Sequence, residues 1–215
     1  MKDYGEFITG IICRLPNGKI FGTEMVAKMV ADEYGIAINH AKAITNNQLK
    51  RLTDAGNLDR IQKGVYYKAK STVFGKVRPN LDEYAIQALT MQGEEIIGYV
   101  TGAAFMNRIG LTTLIPREIE IISNQYRKVL PDGCHVTAKK PVVQINAENY
   151  EYLQLLDAIE NLSVIHVDAD NPEDLIRAAA RERKTKPIDL IFYARQFYPV
   201  KTLLRTVDIF AGVNK

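Results

Sequence analysis

The sequence predicts a mixed α+β fold in two parts. Three observations point to it. The first third holds three short segments at helical spacing and then a basic-glycine reversal. An alternating apolar run lies near the middle, and proline-punctuated amphipathic helices close the chain. With 215 residues, 47% of them hydrophobic, there is material for one good core or two modest ones.

In "EFITGIICRL", Phe7, Ile8, Ile11, Ile12 and Leu15 recur at helical spacing, so one face is expected to be buried. "PNG" at 16–18 ends that helix in a turn, and "KIF" reads as a short extended segment. Thr23 is placed to cap a second helix, "EMVAKMVADEY", which stops at Gly35. Asn39 is the expected N-cap of a third, "HAKAITNNQLKRLTDA", ending at Gly56. The connection before that third helix, within "ADEYGIAINHA", reads as long.

On the third helix Ala41, Ile44, Gln48, Leu52 and Ala55 share a stripe, with Leu49 at its edge. His40, Lys42, Asn46, Asn47, Lys50 and Arg51 occupy the opposite face. A polar helix face is commonly just solvated, but Asn is a poor helix former to spend on plain exposure. Asn and Gln are also the side chains that bond bidentately to adenine in the major groove. Next, "RIQKGVYY" turns tightly at Lys63-Gly64, between Ile61 and Val65. Three helices, a brief strand and a hairpin make the order of a winged helix-turn-helix, with helix three in the groove and the hairpin against the phosphates. Arg60 and Lys63 then lie beside the DNA backbone, where each neutralised phosphate releases counterions. Of the two tyrosines, one packs inward and one offers its hydroxyl; Tyr66 completes the expected DNA-facing set.

Charge distribution agrees. The chain carries 28 Lys and Arg against 25 Asp and Glu, a net of +3. Residues 1–75 hold 11 of those cations against 7 of the acids, so the positive excess belongs to the N-terminal third. The expected domains are therefore 1–75, a winged helix-turn-helix, and 76–215, a mixed α+β domain. No stretch approaches the roughly 20 apolar residues of a membrane helix. "MKDYGEFITG" does not read as a signal peptide. Cys13 and Cys134 are too few and too far apart for a disulfide framework, which suits the cytoplasm.

Residues 69–80, "AKSTVFGKVRPN", lack periodicity and read as a linker. Asn80 with Glu83 resembles a capping box opening "LDEYAIQALTM". "TGAAFMNRI" is a short helix stopped by Gly110; "REIEIIS" alternates as a strand, and "CHVTAKKPVVQI" suggests one or two more. "YEYLQLLDAIENL" is amphipathic. Asn171-Pro172 starts another helix, and Pro187 and Pro199 punctuate a final pair ending near Phe210.

"QLKRLTDAGNLDRIQKGVYY" resembles the helix-and-wing signature of AbiEi-type antitoxins. "FGKVRPN" and "GYVTGAAFMNRIGLTTLIPREIEI" resemble the segment that follows in AbiEi-like proteins. The likeness covers residues 40–125 well. It implies an antitoxin of a type IV toxin–antitoxin pair that represses its own promoter through the N-terminal domain. It further implies that the C-terminal domain counters a nucleotidyltransferase-like toxin. The expected partners are thus double-stranded promoter DNA and that toxin, with no membrane.

Catalytic signals are few. Cys134-His135 lacks metal-ligand spacing and reads as a strand cysteine beside an ordinary histidine. "TGAAFMNRIG" lacks the Walker lysine. "DAD" at 168–170 reads as a solvated helix start, and "RERKTK" at 181–186 as charges that offset a helix dipole. No catalytic residue, metal or cofactor is expected. Two alternatives stay open: a stand-alone winged-helix transcriptional regulator, and an enzyme with an unrecognised C-terminal active site.

Overall fold

The computed structural model describes residues 3–73 and 75–211, with residues 70–72 described by their backbone alone. The fold is mixed α+β, in two compact units: Met1–Tyr84 with Pro131–Gly133, and Ala85–Leu130 with Cys134–Lys215. The division falls inside a helix rather than at the expected 75/76.

The first unit starts with α1 (Tyr4–Arg14), whose first turn is capped by the Asp3 carboxylate accepting from the Glu6 N–H at 2.9 Å. Ile8, Ile11 and Ile12 are buried on it, as their spacing predicts. β1 (Ile20–Gly22) leads into α2 (Thr23–Tyr34), then α3 (Ile38–Asp54), β2 (Asp59–Gln62) and β3 (Val65–Tyr67). The three strands form an antiparallel sheet in the order β1-β3-β2. Ile8, Val26, Val30, Ala41, Leu49 and Phe21 fill the space between helices and sheet.

Four expectations about this unit are corrected. Thr23 is the first helical residue of α2 rather than its cap: its N–H is held by the Gly64 carbonyl at 2.8 Å, and Gly22 takes the cap position. Asn39 lies within α3, which begins after Ala37, because the chain leaves α2 in a closed turn. There Gly35 adopts the left-handed region and Ile36 donates to the Ala31 carbonyl, drawing the Ile36 side chain against the core. Packing the half-buried Ile36 against the core offsets the ~1 kcal/mol an asparagine cap supplies. The connection between α2 and α3 is consequently short, Gly35 to Ala37. Finally, the stretch expected as a linker is a hairpin of β4 (Lys70–Thr72) and β5 (Gly75–Val77), paired Lys70 to Val77 and Thr72 to Gly75. Phe74, in the same stretch, lies outside the described residues.

α4 (Leu81–Thr90) crosses from the first unit to the second. Its start is as expected: the Asn80 side-chain oxygen accepts from the N–H groups of Asp82 (3.1 Å) and Glu83 (3.2 Å). A two-stranded ribbon of β6 (Met91–Gln92) and β7 (Glu95–Ile96) precedes β8 (Gly98–Val100), α5 (Gly102–Arg108), β9 (Ile119–Ser123) and β10 (Val136–Lys139). The second sheet runs β10-β9-β8, with β10 parallel and β8 antiparallel to β9. "CHVTAKKPVVQI" thus supplies one strand. Both faces of this sheet are covered. Val100, Ile121 and Val136 meet Ala85 and Leu89 of α4, while Tyr99 and Ile122 turn to the opposite side, following the two-residue period. β8 has to be narrow at Gly98, where a Cβ would strike the Leu89 and Ile122 carbonyl oxygens.

Four helices complete the second unit: α6 (Tyr150–Asn161), α7 (Pro172–Glu182), α8 (Pro187–Phe197) and α9 (Val200–Ala211). α7 and α8 open on prolines, whose missing N–H costs nothing there. Among the described residues no helix is long and apolar enough to cross a membrane.

Candidate nucleic-acid interface

α3 divides sharply by burial. Ala41, Thr45 and Leu49 are fully buried at successive turns, with Ile44, Gln48 and Leu52 half-buried beside them. Leu49, at the edge of the stripe, is nonetheless fully buried, and Ala55, past the helix end, is exposed. The opposite arc exposes His40, Asn46, Asn47, Lys50 and Arg51. At 3.6 residues per turn these five fall within one face of the helix. The Gln48 amide donates to the Thr9 hydroxyl at 3.1 Å and ties the inward side of α3 to α1.

Lys42 departs from the expected set. It sits at the margin of the polar arc, half-buried, and donates to the Glu24 carboxylate of α2 at 2.8 Å. That ion pair spans the two helices around the short turn. It also occupies the ammonium expected to face DNA.

The hairpin supplies a second group of polar residues. Gly64, at φ 80°, makes the reversal that an L side chain resists, and it leaves Lys63 exposed at the tip. Arg60 is exposed on β2, with its Nε donating to the Gln62 carbonyl at 3.2 Å. Tyr66 is a correction. Its ring is 5% exposed and stacks on Phe21, centroids 6.2 Å apart, because β3 pairs with β1 and Phe21 lies opposite Tyr66. Tyr67, half-buried, is the tyrosine turned the other way. Burial, followed by the Asp59 carboxylate, raises its hydroxyl above the ordinary phenol value, while Lys76 and Arg78 act in the opposite sense.

Sequence reading missed Lys76 and Arg78, which lay in the supposed linker. The available signal was their spacing of two, which puts both on one side of an extended chain. It also missed Asp157, an acid on the apolar stripe of α6, one turn after Leu153. Its carboxylate accepts from the hydroxyls of Tyr198 (2.6 Å), Thr101 (3.0 Å) and Tyr99 (3.1 Å), joining the sheet to the helices. Burial pushes this carboxyl up to about 6, against the three hydroxyl donors that favour the charged form. Burial and the same acid push both tyrosine hydroxyls up as well. Asp168 is exposed, as expected, and also accepts from the Thr113 N–H and hydroxyl at 2.6 and 2.7 Å, which together draw it below the ordinary carboxyl value. Arg183 of "RERKTK" lies over the Phe105 ring at 5.2 Å and donates to the Ala179 carbonyl.

No curated protein matches the chain. A family model matches residues 22–186, from the end of β1 through both units to the residue before α8. The chain belongs to that family, a family of unknown function designated DUF6088.

Proposed function

We propose that the first unit is a winged helix-turn-helix that binds duplex DNA. The observation that carries the reading is the division of α3, with Ala41, Thr45 and Leu49 inward and Asn46, Asn47, Lys50 and Arg51 outward. Such a face meets base edges through its amides and phosphates through its cations. The exposed Lys63 at the hairpin tip supports the same reading, as a phosphate contact flanking the groove. The DNA-facing set becomes His40, Asn46, Asn47, Lys50, Arg51, Arg60 and Lys63. Lys42 positions α3 through Glu24, and Tyr66 holds the sheet.

The protein acts by binding rather than by catalysis, in the cytoplasm, on the promoter of its own gene. The resemblance of residues 40–125 to AbiEi-like antitoxins supports assigning it as the antitoxin of a type IV pair, with the second unit countering a nucleotidyltransferase-like toxin. Anisotropy with labelled duplex from upstream of the gene tests the DNA reading. Lys63→Glu is expected to weaken binding severalfold on every sequence at low salt, and the difference to shrink as salt rises. Unchanged binding at low salt removes the hairpin from the interface. The neighbouring reading frame tests the antitoxin reading: a nucleotidyltransferase whose toxicity this chain suppresses supports it, and survival independent of this chain overturns it.

A further inference from the structure

The β4–β5 hairpin does more than connect β3 to α4. Beside it, within the first unit, lies a concavity of ≈ 560 Å³ whose lining includes Arg60, Tyr67, Lys76 and Arg78. Arg60, Lys76 and Arg78 are all exposed. Lys76 donates to both oxygens of Asp59 at 2.9 Å. Asp59 lies directly across from Tyr67 in the β2–β3 ladder. One carboxylate therefore anchors the second hairpin to the wing strand and sets Lys76 beside the Tyr67 hydroxyl. Arg78 follows two residues on, along the same side of the extended chain.

The concavity holds three cations against two carboxylates, Asp59 and Asp132. Asp59 is already neutralised by Lys76, so two guanidinium groups and a phenol hydroxyl face the space with a positive balance. Guanidinium forks and hydroxyls are the groups that hold phosphate oxygens. We propose that the second hairpin is a phosphate clamp, in which Arg60, Arg78 and Tyr67, arranged by the Lys76–Asp59 pair, hold the sugar-phosphate backbone of duplex DNA flanking the segment met by α3. This rests on the DNA-binding reading above and extends its footprint to residues that the sequence alone presents as a linker. The anion is taken to be a duplex phosphate because Arg60 lies on the strand that carries the hairpin tip, so one backbone path meets Lys63 and the clamp in turn.

The test uses the full chain and two random-sequence duplexes, one of about one helical turn and one of about three. Anisotropy is measured across a salt series for wild type, Arg78→Ala, Arg78→Lys, Asp59→Asn and Lys63→Glu, with thermal unfolding as a check on folding. On the long duplex Arg78→Ala is expected to flatten the dependence of log K on log salt by about 0.9. Arg78→Lys restores most of that slope, and Asp59→Asn, which undoes the pair that arranges the clamp, weakens binding severalfold on the long duplex and leaves the short one unchanged. On the short duplex wild type and Arg78→Ala bind alike. If Lys63→Glu weakens binding while Arg78→Ala keeps the wild-type slope on the long duplex, the clamp is overturned and the DNA reading stands. If Arg78→Ala loses equally on both duplexes, Arg78 acts at the centre or through the fold, and the clamp is again overturned. If wild type binds neither duplex at low salt, the DNA reading and the clamp fall together.

Discussion

At the scale of single residues, polar groups in apolar places mark where tertiary structure has been demanding. Thr45 is fully buried in α3, and its hydroxyl finds no hydrogen-bond partner among the described residues. Such a hydroxyl costs about 1–3 kcal/mol in lost hydration. Thr45→Val keeps the shape and removes the cost, so chemical denaturation is expected to show a stability gain of about 1 kcal/mol. A loss would mean that the hydroxyl does have a partner. Asp157 is the opposite case, a carboxylate fully supplied with donors yet hard to ionise. Its folded-state value, about 6, lies above the ordinary 3.8. The sign follows: the stability it contributes is fully present below 3.8 and is lost as pH rises through about 6. Asp157→Asn cannot titrate, so its stability relative to wild type is expected to improve across that window, by at most about 3 kcal/mol. The slope is the readout, because replacing the carboxylate also changes three hydroxyl bonds by an amount independent of pH. Parallel curves for the two proteins would rule out a raised Asp157.

Among the elements, α3 shows how a helix is placed by its neighbours before its own signals act. It begins at Ile38 behind Ala37, an exposed residue with extended backbone and no side chain able to accept the first free N–H groups. Ala37→Ser is expected to add about 1 kcal/mol, seen as a higher melting temperature, because serine caps in that conformation. A variant that melts no higher would place the effective helix start elsewhere. The Lys42–Glu24 pair, by contrast, is largely exposed on the glutamate side, so its energetic value is small and its geometric role across the α2–α3 turn is the larger one. Short strands follow the same logic. β1 and β3 are three residues each, yet their pairing determines that Tyr66 and not Tyr67 enters the core.

For the whole molecule, the two compact units and the location of the positive excess predict a division of labour. A cut before Asn80 keeps the capped start of α4 with the second unit. Residues 1–79 are expected to bind duplex DNA, more weakly than the full chain because they lack Pro131–Gly133 of the same unit. Residues 80–215, which hold the second unit's own core, are expected to fold cooperatively and show no duplex affinity. Anisotropy and circular dichroism on the two fragments check both statements. Duplex affinity that follows residues 80–215 would contradict the charge asymmetry.

Several features of this protein were legible in the sequence because their causes are local. The stripe of Ile8, Ile11 and Ile12, the stop at Gly35, the Asn80 cap, the prolines opening α7 and α8 and the Lys63-Gly64 reversal all act within about one turn of chain. The alternation of β9 and the exposed amides of α3 belong with them. Other features depend on partners tens of residues away, and no local pattern encodes the meeting. Lys42 is captured by Glu24, Tyr66 by Phe21, and Asp157 by Tyr99, Thr101 and Tyr198. The strands β4, β5 and β8 span three residues each, too few for a period of two to rise above chance, so pairing alone reveals them. Tertiary structure therefore decided which polar residues face outward together, since that depends on which surfaces the core consumes first.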